Sequence, residues 1–207
     1  MILVFNGPPG SGKDLCCEYL KSKGFEHIEF KNQLYVETIK YFGVDKQWFF
    51  DGYTRERKEI KEPLLNGMSR REAMIHVSEN VLKPKYGNGY FGLESSKIMD
   101  EGKNYCISDG GFVEEIHEII NKFGPEKVCV IRLYREGSNF KKDSRKYVKV
   151  NVHDEHVSGF MSFKEEYLDQ FFESEIDVSG IIIHNNSDQE NLFLILEKIS
   201  KGIGING

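Results

Sequence analysis

Residues 2–14 read ILVFNGPPGSGKD. Ile2-Leu3-Val4-Phe5 is an unbroken apolar run, the mark of a strand buried on both faces. It runs straight into Gly7-Pro8-Pro9-Gly10-Ser11-Gly12-Lys13-Asp14, which meets the pattern G-x-x-x-x-G-K-[ST] at every position but the last. Gly7, Gly10 and Gly12 let the chain turn tightly and bring backbone N–H groups to an anion. From Lys13 to Lys23 the chain carries Leu15, Cys16, Tyr19 and Leu20, an amphipathic segment whose positive helix end faces the same anion. Strand, glycines, lysine and helix together predict a phosphate site built from Gly7, Gly10, Ser11, Gly12 and Lys13. Lys13 is the group able to follow charge on the outer phosphates into a transition state.

Asp14 stands where the pattern has a hydroxyl that ligates magnesium. A carboxylate is a hard ligand for that ion, directly or through a water, and negative charge is favourable in the first turn of a helix. The alternative role for Asp14 is to cap or orient the loop.

Working outward, further strands are expected at Tyr105–Ser108, Val128–Tyr134 and Ile181–His184, with a short one at His27–Phe30. Helices are expected over 13–23, 31–42, 55–62, 69–83, 90–101, 112–123, 162–173 and 188–201, with a loose tail from Gly202. Apolar strands separated by helices argue for a mostly parallel sheet covered on both faces. Residues 31–104 form a long, mainly helical insertion, and 135–161 a polar segment of little periodicity. Both leave the strand ends where a ligand sits in such sheets, so they are the expected acceptor region and lid.

The run Tyr105-Cys106-Ile107-Ser108-Asp109 ends a strand on an acid beside the loop, a place that can hold hydrated magnesium or orient an acceptor. Glu114 and Glu115 read as decoration of the next helix start. Two basic groups can handle phosphate. In the insertion lie Arg55, Arg57, Lys58, Lys61, Arg70 and Arg71, with Ser69 as an expected N-cap. Of these, Arg55, Arg57 and Lys58 are balanced by acidic neighbours, while Arg71 is expected to clamp an acceptor phosphate. After the third strong strand come Arg132, Arg135, Lys141, Lys142, Arg145, Lys146 and Lys149, of which Arg135 and Arg145 are the expected lid arginines. The turn after Ile183, with Asn185 and Asn186, either meets an adenine base or bonds its own backbone. His153, Asp154, Glu155 and His156 lack the one-face spacing of a zinc site. The run around Ser108 lacks the G-x-S-x-G elbow of a hydrolase.

The 207 residues hold enough chain for one sizeable core, and 39% apolar with 29% charged residues is ordinary for a globular chain. A net charge of −5 argues against a nucleic-acid coat, though not against a local basic cleft. No apolar run reaches bilayer length and none resembles a signal peptide, so a cytoplasmic protein is expected. Cys16, Cys17, Cys106 and Cys129 have no metal-ligand spacing and read as buried thiols.

These pieces resemble a P-loop monophosphate kinase of the adenylate-kinase-like fold, and more narrowly the deoxynucleoside monophosphate kinases of tailed phages. The motifs that carry the resemblance are Gly10–Asp14 (GSGKD), Lys61–Phe91 with its S-x-R at Ser69-Arg70-Arg71, and the strand ending Ile107-Ser108-Asp109. Val130–Gly137 (VIRLYREG) and the strand–asparagine–helix ending Ile182–Ile199 complete it. The resemblance implies an α/β, three-layer P-loop kinase fold in a single domain over 1–207, with a mostly parallel central sheet, a helical acceptor-binding insertion and a short lid. It implies ATP and magnesium, with Lys13 and the loop on donor phosphates, Arg71 in the acceptor region and Asp109 between the two sites, and Arg70 and Lys61 are further candidates for the acceptor. Asp14 and Asp109 are then the candidate magnesium ligands, Arg135 and Arg145 the lid arginines, and Asn185 a donor contact. The partners it implies are small nucleotides, with no nucleic acid or membrane, and a monomer or homodimer. Three departures stand out: Gly110-Gly111-Phe112 where relatives often carry an arginine behind the aspartate, Phe91 in place of a tryptophan, and Asn186-Ser187 in place of Asp-Gly. A kinase for another small acceptor, a nucleotide-hydrolysing switch and a non-catalytic nucleotide binder are the competing readings.

Overall fold

The computed structural model describes residues 1–54, 56–141, 143, 145–158 and 172–202. The expected helix at 162–173 lies almost wholly outside these residues, as do Arg55, Lys142 and the tail beyond Gly202. The architecture is mixed α/β, with a six-stranded sheet in the order β2-β3-β1-β4-β6-β5 and every pairing parallel. The strands are β1 (Ile2–Asn6), β2 (Phe25–Ile28), β3 (Asn104–Ile107), β4 (Val128–Tyr134), β5 (Tyr147–Ser158) and β6 (Phe172–Asn185). The helices are α1 (Lys13–Lys21), α2 (Lys31–Phe42), α3 (Lys46–Asp51), α4 (Arg70–His76), α5 (Lys83–Tyr86), α6 (Tyr90–Lys97), α7 (Val113–Phe123) and α8 (Gln189–Gly202).

The period of two along β1 sorts its side chains between two cores. Ile2 and Val4 face a cluster with Ile107, Val130, Phe30, Val77 and the α7 residues Ile116, Ile119 and Phe123. Leu3 and Phe5 face the opposite cluster, with Cys16, Cys17 and Leu20 of α1 and Leu192, Leu196 and Ile199 of α8. Both faces are therefore covered, which is why β1 and β4 are apolar throughout. Each fully buried leucine or isoleucine contributes roughly 1.5–3 kcal/mol, so this central pair anchors everything its C-terminal ends carry. All four cysteines are buried and unpaired, as expected of small core thiols.

Between β2 and β3 the insertion is mainly helical. Asp45 starts α3 by accepting from Trp48 N at 2.8 Å. Ser69 starts α4 with a reciprocal capping box: Glu72 N donates to Ser69 Oγ and Ser69 N donates to Glu72 Oε2. α4 widens into a π turn over Val77–Leu82 before continuing as α5. Pro84 follows that turn and has no N–H to give to a regular ladder.

Two expectations are corrected. Residues 55–62 do not form a helix: the described part is a set of turns from Thr54, and Glu62 is extended. Pro63 drives this, because a residue before proline is pushed out of the helical region. Lys61 instead bridges to Ser69. The polar segment 135–161 is a loop only as far as Lys146, since Tyr147–Ser158 is a strand at the sheet edge. Val148 and Val150 on one face of it are buried with Ile176 and Val178. A valine at every second place among lysines suffices for an edge strand. Positions 159–161 are not described. Among the described residues no helix is long and apolar enough to cross a membrane.

Candidate functional site

The C-terminal ends of β1, β3, β4 and β6 converge, as they must in a parallel sheet, and each carries one of the expected residues there. β1 ends at Asn6 and the chain turns at Gly7. A Cβ on Gly7 would lie 2.7 Å from both the Leu133 carbonyl oxygen and Ser11 Oγ. Gly10 and Gly12 have φ of +83° and +107°, the left-handed region that glycine enters without strain. Ser11 is buried and its N–H donates to Pro8 O. No side chain caps α1 at Gly12, so its start is open to an external acceptor.

Lys13 lies in the first turn of α1 but is buried, its Nζ donating to Pro8 O at 2.7 Å. Burial pushes its ammonium down to about 8, and Arg145 adds to this, while Asp14, Asp143 and Asp109 oppose it. Three of the sequence candidates, Arg145, Asp14 and Asp109, therefore surround Lys13 electrostatically. Asp14 itself is exposed. Arg135 lies on the outer edge of the loop, its Nη1 at 3.5 Å from Gly10 O. Asn185 is buried and donates to Ser11 O at 2.9 Å. It ties β6 to the loop, and a Cβ at Gly12 would strike the same amide.

Asp109 accepts from Phe30 N at 2.9 Å and Lys31 N at 3.0 Å, so the end of β3 holds the start of α2. Burial raises its carboxyl above the usual range, and the two N–H groups work against that. Lys31 is paired with Glu29 at 2.6 Å. Arg145 is forked onto Asp143, Nε to Oδ1 at 2.8 Å and Nη2 to Oδ2 at 2.5 Å.

The insertion residues divide. Arg71 is half-exposed, with Glu59 at 3.7 Å, and its charge is felt by Tyr53 and by Asp143. Arg70, expected at the acceptor phosphate, is turned inward and 1% exposed. It donates to Phe49 O, Trp48 O and Glu62 and lies over the Trp48 ring. Lys61 is on the surface against Glu72, whose carboxyl it holds down to about 2 with help from Ser69.

Two residues without a sequence expectation, Tyr35 and Tyr53, and one with a different expectation, Glu115, belong to this region. Tyr35 and Tyr53 meet edge-on at 5.1 Å. Burial raises the hydroxyl of each, and Tyr35 also feels Glu29 and Asp109. Glu115, expected as helix decoration, is buried; burial and then Asp109 push its carboxyl up, against Lys83 and Arg145. The reason is close helix packing: a Cβ on Gly92 of α6 would lie 2.1 Å from Glu115 O. Glu114, its neighbour, is exposed. No local sequence signal marks the tyrosines or Glu115 for these places.

Ser108 Oγ lies 3.0 Å from His27 Nε2, and His27 Nδ1 lies 3.7 Å from Glu18. The order is that of a nucleophilic triad, but Ser108 is 1% exposed and Glu29 shares its hydroxyl at 3.4 Å. A hydroxyl closed to substrate and bonded to a second carboxylate is a structural link between β2 and β3. Among the described residues no three His, Cys, Asp or Glu gather as a metal cage would require. The sequence matches no protein-family model and no curated protein.

Proposed function

We propose that this chain is an ATP-dependent kinase that transfers a phosphoryl group to a deoxynucleoside 5′-monophosphate, as the resemblance to the phage enzymes implies. The observation that carries the reading is Lys13, buried in a glycine loop with its Nζ on Pro8 O and its charge acted on by Arg145, Asp14, Asp109 and Asp143. Such a mixture of charge suits a reaction that brings two anions together. Lys13 and the α1 start would take the donor phosphates, and Arg145 and Arg71 the acceptor phosphate. Gly7, with no room for a side chain, lets the loop lie close against the end of β4.

Magnesium is held in sites of this kind by one or two carboxylates and keeps most of its waters, so the absence of a three-ligand group is compatible with it. Asp14, exposed beside Lys13, fits direct coordination. Asp109 spends its oxygens on two backbone N–H groups and fits contact through water. When bound, the ion supplies neutralising charge at the phosphates. The chain's own part is to place the two nucleotides in line and keep water out.

The test is a screen with ATP and magnesium against dAMP, dCMP, dGMP, dTMP, AMP, UMP and shikimate-like acceptors. ADP formed only with deoxynucleotides supports the reading. Steady hydrolysis without an acceptor, or binding of ATP with no turnover, would replace it. Within it, Arg71→Ala is expected to raise the acceptor KM about tenfold and leave the ATP KM within about twofold, because one charge-assisted phosphate contact is lost. An unchanged acceptor KM removes Arg71 from the site.

A further inference from the structure

Arg145 was expected on a closing lid, yet the fold itself holds it in three ways. The first is Asn6, the last residue of β1, fully buried. Its Nδ2 donates to Gly110 O at 2.9 Å and to Lys146 O at 3.0 Å, and its Oδ1 accepts from Val148 N at 3.0 Å. One amide thus ties the chain just after the arginine, and the Gly110 carbonyl, to the strand that feeds the glycine loop. The second is Gly111. A Cβ there would lie 2.4, 2.7 and 2.8 Å from Cδ, Cγ and Cβ of Arg145, so the stem runs flat across the glycine. Gly111 is not among the residues of positive φ, so space, not backbone conformation, is what a side chain would offend. The third is Asp143, which takes Nε, Nη2 and the Arg145 backbone N–H. The remaining corner, Nη1, donates no hydrogen bond to the described residues.

We infer that Asn6 and Gly111 are positioning residues that fix Arg145 as a resident cation, so that its open Nη1 edge binds the phosphomonoester of the acceptor before any donor arrives. The inference rests on the transfer reading for its ligand, not for the contact between Gly111 and Arg145. The competing arrangement, an arginine carried in by lid closure, would need the segment around Lys146 to leave Asn6. That would break the two hydrogen bonds that Asn6 makes with Lys146 O and Val148 N together. A guanidinium already in place loses little freedom when it meets phosphate, which favours binding of the acceptor alone. Arg145 also faces Asp109, Glu115 and Lys13, so its charge is balanced within the site.

The experiment is a double-mutant cycle of Gly111→Ala and Arg145→Ala, read in two ways. Calorimetric titration with each deoxynucleoside monophosphate, without ATP, gives acceptor affinity; thermal unfolding gives the contact itself. Gly111→Ala alone should weaken acceptor binding about tenfold and lower the melting midpoint, with ATP affinity within about twofold. In the Arg145→Ala background the same alanine should change neither acceptor affinity nor midpoint. Asn6→Ala should weaken the acceptor in the same direction. If Gly111→Ala is equally harmful in both backgrounds, or weakens ATP as much as acceptor, the inference is overturned while the kinase reading stands. If the wild-type protein neither binds nor phosphorylates any of the four acceptors, the kinase reading and the phosphate role fall together. The midpoints then still decide whether Gly111 makes room for Arg145.

Discussion

Lys13→Met is expected to abolish phosphoryl transfer, lowering kcat by about a thousandfold or more, while the protein melts at the wild-type temperature or higher. The two halves come from the same observation. The ammonium is buried, and burial holds it down to about 8. An unfolded lysine titrates near ~10.4. The folded protein therefore holds this proton less tightly than the unfolded chain does. The charged lysine weakens the fold below pH 8, and the penalty fades as pH rises from about 8 toward the unfolded value. Its size is on the order of 2–3 kcal/mol. Methionine keeps the stem and drops the charge. Its loss leaves no orphan, because Pro8 O still accepts from Ser11 N. In the wild type, kcat/KM for ATP should fall as pH rises through about 8, since that ratio reports the free enzyme. Circular dichroism melts and initial rates across pH 6–10 make the check, with those limits set at about two pH steps either side of 8. Wild-type turnover by the methionine variant would remove Lys13 from the chemistry. A fall of more than about 10 °C in midpoint would show that the buried charge stabilises the fold.

How much of this was legible in the sequence depends on whether a feature is local. β1, β4, α1, α7 and α8 announce themselves, because two-face burial and helical stripes are written into contiguous residues. The acidic cap at Asp45 is equally local, but the six residues of α3 show less than two turns of pattern. β5 was hidden by Lys149, which makes an alternating edge strand look like a charged loop. β6 was read only at its apolar end, since Glu175 and Asp177 obscure the part before Ser179. The helix expected at 55–62 runs up to Pro63, which holds Glu62 in the extended region.

The site follows the same rule. Gly7, Gly10, Gly12 and Lys13 are contiguous, so their conjunction could be read. Asn6 could not: its partners are 104 and 140 residues away, and an asparagine at a strand end has no local signature for that work. The glycines after Asp109 could be seen as a departure from the phage enzymes but not understood. Only the packed chain brings Arg145 across Gly111. Glu115 and Glu114 differ by one helical step, and nothing short of the packing of α6 on α7 says which of them is buried.

The same ambiguity of one helical step separates Arg70 from Arg71, and it yields the second large effect. Arg70→Ala is expected to cost about 3–5 kcal/mol, enough to unfold the insertion at physiological temperature. The guanidinium is 1% exposed and paired with Glu62 at 2.7 Å. It also satisfies the carbonyls of Phe49 and Trp48 and lies 4.2 Å from the Trp48 ring centre. Truncation strands a carboxylate and two carbonyls together, and the loss of an interior charge partner costs far more than the pair contributes. Lysine should not rescue it, because a single ammonium cannot reach three acceptors set in a planar fork. Gly52→Ala should be nearly as damaging, since a Cβ there would lie 2.0 Å from Arg70 Cζ. Arg71→Ala should change stability by less than about 1 kcal/mol, its partner Glu59 being a surface residue. Adjacent arginines thus separate cleanly, one read in urea unfolding and the other in acceptor KM. An Arg70→Ala protein that unfolded like the wild type but needed far more acceptor would reverse the two assignments. The phosphate-binding arginine of the insertion would then be Arg70.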